Sequence, residues 1–280
     1  MTRFSIAAAL GVVATTLALN AAPARAATTY GTGTIALGTT VYTQSFDTLA
    51  STGTTGIALP NGWRAVEDGA SANGTYGVSN GSLNAGNVYS FGATGSADRA
   101  LGTLRSGNLL PTIGAIFTNA TGSKITDLVI AYTGEQWRDG GSPVDSLNFQ
   151  YSLTSTNFAD ALTSAAWTSV SALNFLSPTN SSNGGALDGN AAANSRALSA
   201  TLSKLAIGSG ATFAFRWIDA DPAGADDGLA IDTFRVRATT AVVAAVPEPA
   251  SWAMMIAGFA LIGFAVRRGA AARGRGAVAA

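Results

Sequence analysis

From residue 28 to about residue 237 the chain is a succession of short apolar or alternating runs separated by clusters of Gly, Asn, Asp, Ser and Pro. Alternation with a period of two puts successive side chains on opposite faces of a strand, and the turn residues between runs end one strand and begin the next. The clearest runs, at 99–104, 113–119, 124–134, 146–153, 197–205, 211–218 and 229–236, predict strands, with shorter ones at 63–66, 76–78, 88–91 and 167–170. In the run from Lys124, Ile125, Asp127, Val129 and Ala131 share one face, and Leu128, Ile130 and Tyr132 the other. Both faces are mostly apolar, which predicts a central strand covered on both sides. A short helical turn is expected at 157–164, and 177–194 reads as a long polar loop. No long amphipathic helix interrupts the body. About ten to twelve short strands without helices predict an all-β fold, an antiparallel β-sandwich or jelly roll, rather than an α/β fold.

The two ends follow a different pattern. Residues 1–26 combine Arg3, an apolar run over 6–19 and the small-x-small triplet Ala24-Arg25-Ala26. This is the pattern of a secretory signal peptide, with cleavage directed by Ala24 and Ala26. The β body then spans 27–237, and a small-residue linker follows at 238–246. Residues 250–266 are seventeen in number and carry no charge. As a helix they would span about 25 Å at about 1.5 Å per residue, a little short of a hydrocarbon core of about 30 Å. Trp252 at one interface and snorkelling arginines make up the difference. Arg267 and Arg268 lie on the C-terminal side, in a basic tail that runs over 267–280. Positive residues stay in the cytoplasm, so the body is expected outside. Pro247 and Pro249 stop the helix from extending backwards and leave Glu248 in an extended segment open to a protease.

The run Pro247-Glu248-Pro249-Ala250-Ser251-Trp252-Ala253, followed by Met254-Met255, Gly258-Phe259 and Arg267-Arg268, resembles the PEP-CTERM sorting signal of exopolysaccharide-producing Gram-negative bacteria, in its PEPxxWA form. The resemblance implies a sorting motif made of Pro247, Glu248, Pro249, Trp252, Ala253, Arg267 and Arg268. It implies a membrane-bound exosortase as partner, at least transient residence in the inner membrane, and delivery to the envelope, surface or extracellular matrix, with exopolysaccharide as a further partner. In this reading Glu248 belongs to a recognition element and not to a catalytic one.

Composition narrows the chemistry. The chain has no cysteine and no histidine. Disulfides, thiol nucleophiles, Cys-ligated zinc and histidine-based triads are therefore excluded. Between residues 27 and 246 there are ten basic and fifteen acidic side chains. A body with this sign lacks the basic footprint that nucleic-acid binding needs.

Two clusters in the body are candidates for chemistry. Asp219, Asp221, Asp226, Asp227 and Asp232 fall within fourteen residues. Carboxylates this close repel one another unless a hard cation screens them, which makes calcium the candidate cofactor. The other reading is an Asx-turn loop whose charge Arg216 or Arg235 balances. The second cluster is Glu135 and Trp137, a carboxylate and an aromatic surface that suit a sugar. The alternative is a structural Glu135 paired with Arg138 or Arg216 while Trp137 packs over the sheet. Of the aromatics Trp63, Tyr89, Trp137, Trp167 and Trp217, most are expected in the core. The reading that follows is an exported, non-enzymatic envelope or matrix protein that binds glycan or other surface molecules. A calcium-dependent carbohydrate-binding or adhesion module and an acid-pair glycan hydrolase are the alternatives, and no catalytic residue is assigned.

Overall fold

The structure, a computed structural model, describes residues 27–141, 143–241 and 249–274. The expected signal peptide with Ala24 and Ala26, most of the expected linker, Pro247, Glu248 and residues 275–280 lie outside the described residues. The chain separates into two compact units, one ending at Thr240 and the other beginning at Ala241.

The first unit is two packed sheets. One runs in the order β1 (Thr28–Tyr30), β5 (Trp63–Asp68), β9 (Leu110–Asn119), β16 (Thr212–Asp219), β11 (Ser146–Ser152) and β12 (Thr168–Ser169), with β2 (Ile35–Leu37) on β9 and β13 (Phe175–Leu176) on β11. The other runs β14 (Gly185–Ala186), β10 (Ile125–Asp139), β17 (Gly228–Thr240), β8 (Ala100–Leu104), β7 (Asn87–Phe91), β6 (Tyr76–Ser79) and β4 (Thr55–Gly56), with β15 (Ser195–Leu202) on β10 and β3 (Tyr42–Gln44) on β17. Pairing is antiparallel except between β2 and β9 and between β6 and β7.

The period-two pattern decides which side chains meet between the sheets. β16 contributes Phe213, Phe215 and Trp217 to the core, and β9 contributes Ile113, Ala115 and Phe117. Facing them are Leu128, Ile130 and Tyr132 of β10 and Leu229, Ile231, Phe234 and Val236 of β17. Trp217 sits at the centre of this layer, with its ring 6.0 Å from Trp63, 5.6 Å from Phe234, 5.5 Å from Tyr132 and 5.1 Å from Phe149. The inward positions on β17 change parity between Ile231 and Phe234. A bulge accounts for this: Thr233 takes φ 49°, and the register against β10 slips between Ala131 and Thr133.

The outer faces are partly covered by loops. On the first sheet Arg216 points away from the core and is fully buried. Its guanidinium donates to Gln150 Oε1 and to the carbonyls of Phe158, Asp160 and Ala161, and lies 4.1 Å from the Trp167 ring. These carbonyls are held by the arginine, and residues 157–164 form turns where a helical turn was expected. On the second sheet the segments around Gly81 and Gly189 fold over Trp137. A Cβ on Gly81, which has φ +90°, would stand 1.9 Å from the Trp137 carbonyl oxygen, and one on Gly189 would stand 2.4 Å from the indole.

β10 departs from its expected two-sided burial. Leu128, Ile130 and Tyr132 are in the core, but Val129 on the opposite face is 39% exposed. Only residues 134–137 are buried on both sides, because the covering loops reach only that half of the strand. β17 runs past Arg237 to Thr240, because its backbone still has a partner in Ile125.

The second unit is α1 (Pro249–Gly274). Its stretch Ala250–Gly269 has a mean hydropathy of 1.6 and is long and apolar enough to cross a membrane. The helix continues through Arg267 and Arg268, and the guanidinium of Arg268 lies 4.8 Å from the Phe264 ring. The alanines at 270–272 favour this continuation.

Candidate functional site

A cleft of about 550 Å³ opens at the β4–β6–β7 edge of the second sheet. Three turns form its walls: 51–54 before β4, 80–83 after β6 and 92–95 after β7. The lining combines hydroxyl, amide and bare glycine backbone with the apolar side chains of Val78 and Leu83 and with Arg99. Asn80 Nδ2 donates to Thr94 Oγ1 at 3.2 Å and so ties two of the walls together. At the floor is Arg99, buried, whose Nε donates to Ser90 Oγ at 2.9 Å and whose Nη2 donates to the Ser90 carbonyl. No Asp or Glu lines this cleft. Composition gave no sign of it, since Ser, Thr, Asn and Gly in turns are what any β protein carries. A smaller cleft of about 280 Å³ holds Asp68 and Asp160. Both oxygens of Asp160 are already engaged, by Asn157 Nδ2, Ser155 Oγ and the Trp167 indole N–H.

Glu135 and Trp137 come together away from either cleft. The Trp137 indole N–H donates to Glu135 Oε2 at 2.9 Å, and both residues are buried beneath the loops described above. The arginine pairing expected for Glu135 does not form: Arg138 donates to the Gly81 carbonyl, and Arg216 is on the other sheet. Burial pushes the Glu135 carboxyl up to about 8, and the nearby Asp232, Asp98 and Asp188 add to the effect, while the indole bond opposes it. The aromatic platform for a sugar is missing too. Trp63, Trp137, Trp167, Trp217 and Tyr89 are all buried, because each sits on an inner face or under a loop.

Of the five aspartates, Asp232 stands apart from the other four. Asp219 ends the inward row of β16 and is completely buried. Asp221 forms an ion pair with Arg105 at 3.0 Å, so the balancing cation is neither Arg216 nor Arg235. Asp226 is buried near it, and burial raises its carboxyl to about 6. Asp227 accepts the Gly140 N–H at 2.6 Å and Gln136 Nε2 at 3.1 Å. Asp232 lies on β17 beside the bulge and accepts the Thr233 hydroxyl at 2.8 Å. Its charged neighbours are Asp98 and Asp47, and burial raises it to about 6. Among the described residues no three acidic side chains come close enough together to hold a metal ion. Chain proximity suggested one calcium loop; Asp232 stands apart beside Asp98 and Asp47, while Asp226 lies within charge range of Asp219, Asp221 and Asp227.

No curated protein matches the chain. Among solved structures, the CBM22-1 xylan-binding domain of Paenibacillus barcinonensis Xyn10C aligns at 14% identity and TM-score 0.37, over 74% of this chain and 99% of that one. The xylan-binding module CBM15 aligns at 13% identity and TM-score 0.33, over 73% of this chain and 100% of its own. TmCBM61, solved with β-1,4-galactotriose, aligns at 9% identity and TM-score 0.32, over 63% and 88%. Scores this low establish neither a shared fold nor a shared ligand. The C-terminal unit gives a definite match. Residues 245–269 fit the model of the PEP-CTERM protein-sorting motif, and they include the apolar helix and its two arginines. This chain therefore carries a PEP-CTERM motif, a C-terminal sorting signal of exported proteins.

Proposed function

We propose that this is a non-enzymatic envelope or extracellular-matrix protein, delivered by an exosortase-type enzyme, whose β-sandwich binds glycan in the cleft between Asn80, Thr94 and Arg99. The observation that carries this reading is the lining of the cleft. Hydroxyls, amides and exposed backbone can both donate to and accept from sugar hydroxyls, and Leu83 offers an apolar patch for a ring face. Hydrolysis by an acid pair needs two carboxylates across the substrate, and this cleft has none.

Titration of the full chain in mild detergent with exopolysaccharide from the producing cells tests the site. Saturable binding is expected, and Thr52→Trp, which fills the cleft from an exposed wall position, should weaken it at least tenfold without changing Tm. Equal binding by the variant would remove the cleft from consideration. Loss of binding on adding a chelator would favour a calcium-dependent module instead.

The tail makes a separate prediction. In a host with an exosortase, the mature protein should lack Arg267 and Arg268, and Glu248→Ala should leave them in place. Intact mass reads both results. A mature wild-type chain that keeps the two arginines would count against processing.

A further inference from the structure

Among the described residues β15 is a long strand that closes its sheet with the outer side open. The strands at the other sheet ends are short: β1 has three residues, and β4, β12 and β14 have two each. β15 has eight, Ser195–Leu202, and pairs only with β10. Proteins protect such an edge by shortness, by proline, by a bulge or by a charge in mid-strand. β15 has no proline, no register shift against β10 and no charge between Ala197 and Leu202. Its one arginine stands near the start and is turned back. Arg196 Nη1 donates to the carbonyls of Ala192 and Ser195, at 3.0 and 2.6 Å.

The ladder decides which backbone groups face the open side. Its register sets Ser195 opposite Glu135 and, one step on, Asn194 opposite Gln136. The Gln136 N–H donates to the Asn194 carbonyl at 2.9 Å. In an antiparallel pair every second residue exchanges bonds with its partner. Arg196, Leu198, Ala200 and Leu202 therefore bond to β10. Ala197, Ser199 and Thr201 turn their N–H and C=O groups outward, where none of the described residues bonds to them. All three are exposed, with side chains on the outer face of the sheet. Leu198 and Ala200 point inward and are only partly covered, packed against the rim of the core.

We propose that β15 is a self-pairing edge: a second copy of this chain adds its own β15 antiparallel, about a two-fold axis at Ser199, and the two sheets become one. The register is self-complementary. Ser199 of one copy faces Ser199 of the other and Ala197 faces Thr201, so every outward N–H and C=O of these residues finds a partner. Only small side chains meet on the outer face. On the inner face Leu198 meets Ala200, and each covers apolar surface that the other chain leaves open. Arg196 meets Leu202, so no two like charges are opposed. The cleft tied by Asn80 and Thr94 is at the opposite edge of the same sheet. Pairing thus sets two clefts on one continuous sheet, where a polymer that reaches both is held by avidity. That consequence rests on the glycan reading of the cleft; the pairing itself does not.

The chain has no cysteine, so an introduced one reports the register. Bonded antiparallel partners have Cα atoms about 5.5 Å apart, inside the disulfide range of about 4.4–6.8 Å. Ser199→Cys in the full chain, in mild detergent under gentle oxidation, is expected to link into a dimer. Ala197→Cys and Thr201→Cys should each stay unlinked alone, since two copies of either lie roughly 13 Å apart along the strand, and should link when mixed. Sedimentation gives an independent reading. The wild type should dimerise with rising concentration. Ser199→Lys opposes two ammonium groups at the axis without touching a bond within the chain, and should weaken the dimer about tenfold or more. Equal linking by all three cysteine variants would overturn the register. A dimer that Ser199→Lys leaves intact would overturn the edge and assign the association to another surface. A wild type that stays monomeric throughout would overturn the pairing and leave β15 to a strand of a different protein.

Discussion

Glu135→Gln is expected to stabilise the protein at pH 9 and to change little at pH 4, so that the variant and the wild type diverge as pH rises. The Glu135 carboxyl is pushed from 4.5 to about 8 in the folded chain, chiefly by burial. Between these values the folded state holds a proton that the unfolded state has released. Stability therefore falls as pH rises through this window; it is fully present below the unfolded value and the loss is complete above the folded one. At about 1.4 kcal/mol per unit the wild type should lose on the order of 3–5 kcal/mol across the window from this group. A glutamine has no charge to bury, and its amide oxygen can still accept the Trp137 N–H. Urea denaturation of the full chain at pH 4, 7 and 9 checks this. Parallel stability profiles for the two proteins would show that Glu135 ionises freely and would remove the argument.

The second large effect is expected at the core. Trp217→Ala should cost about 3–5 kcal/mol, the range for losing a large aromatic from a packed interior. Total stability for a domain is about 5–15 kcal/mol, so the variant should be partly unfolded at 37 °C or fail to accumulate. The reason lies in its contacts. Trp217 touches Trp63 and Phe149 within its own sheet and Tyr132 and Phe234 across the interface, so its removal opens a cavity that no single neighbour can fill. Trp217→Phe should cost much less, since it keeps a ring there and removes an indole N–H that has no partner. Chemical denaturation distinguishes the two. A loss below about 1 kcal/mol for the alanine variant would contradict the packing described here.

Much of the architecture was legible because it is local. The alternations at 211–218 and 229–236 put Phe213, Phe215, Trp217, Leu229 and Ile231 on the inner faces, where the structure has them. The bulge at Thr233 was harder to foresee. It shows in the sequence only as a parity change between Ile231 and Phe234, and that is also what an ordinary strand end looks like. The outer faces were misjudged for a related reason. Val129 reads as covered and is exposed, whereas Glu135, read as a sugar ligand or an arginine's partner, is buried against Trp137. What covers an outer face comes from loops such as 153–167 and 177–194, far away along the chain.

The sequence alone determined the all-β body, the apolar C-terminal stretch and the sorting motif, because each depends on neighbouring residues or on a contiguous signal. Only the tertiary structure decided where the carboxylates went. It set Asp232 apart from the other four aspartates of its segment, bonded Glu135 to Trp137 under a loop, and brought the turns 51–54, 80–83 and 92–95 to one cleft. A carboxylate's charge, burial and partners are set by whatever packs around it, and that depends on strand pairing between segments more than a hundred residues apart, as when Arg105 meets Asp221.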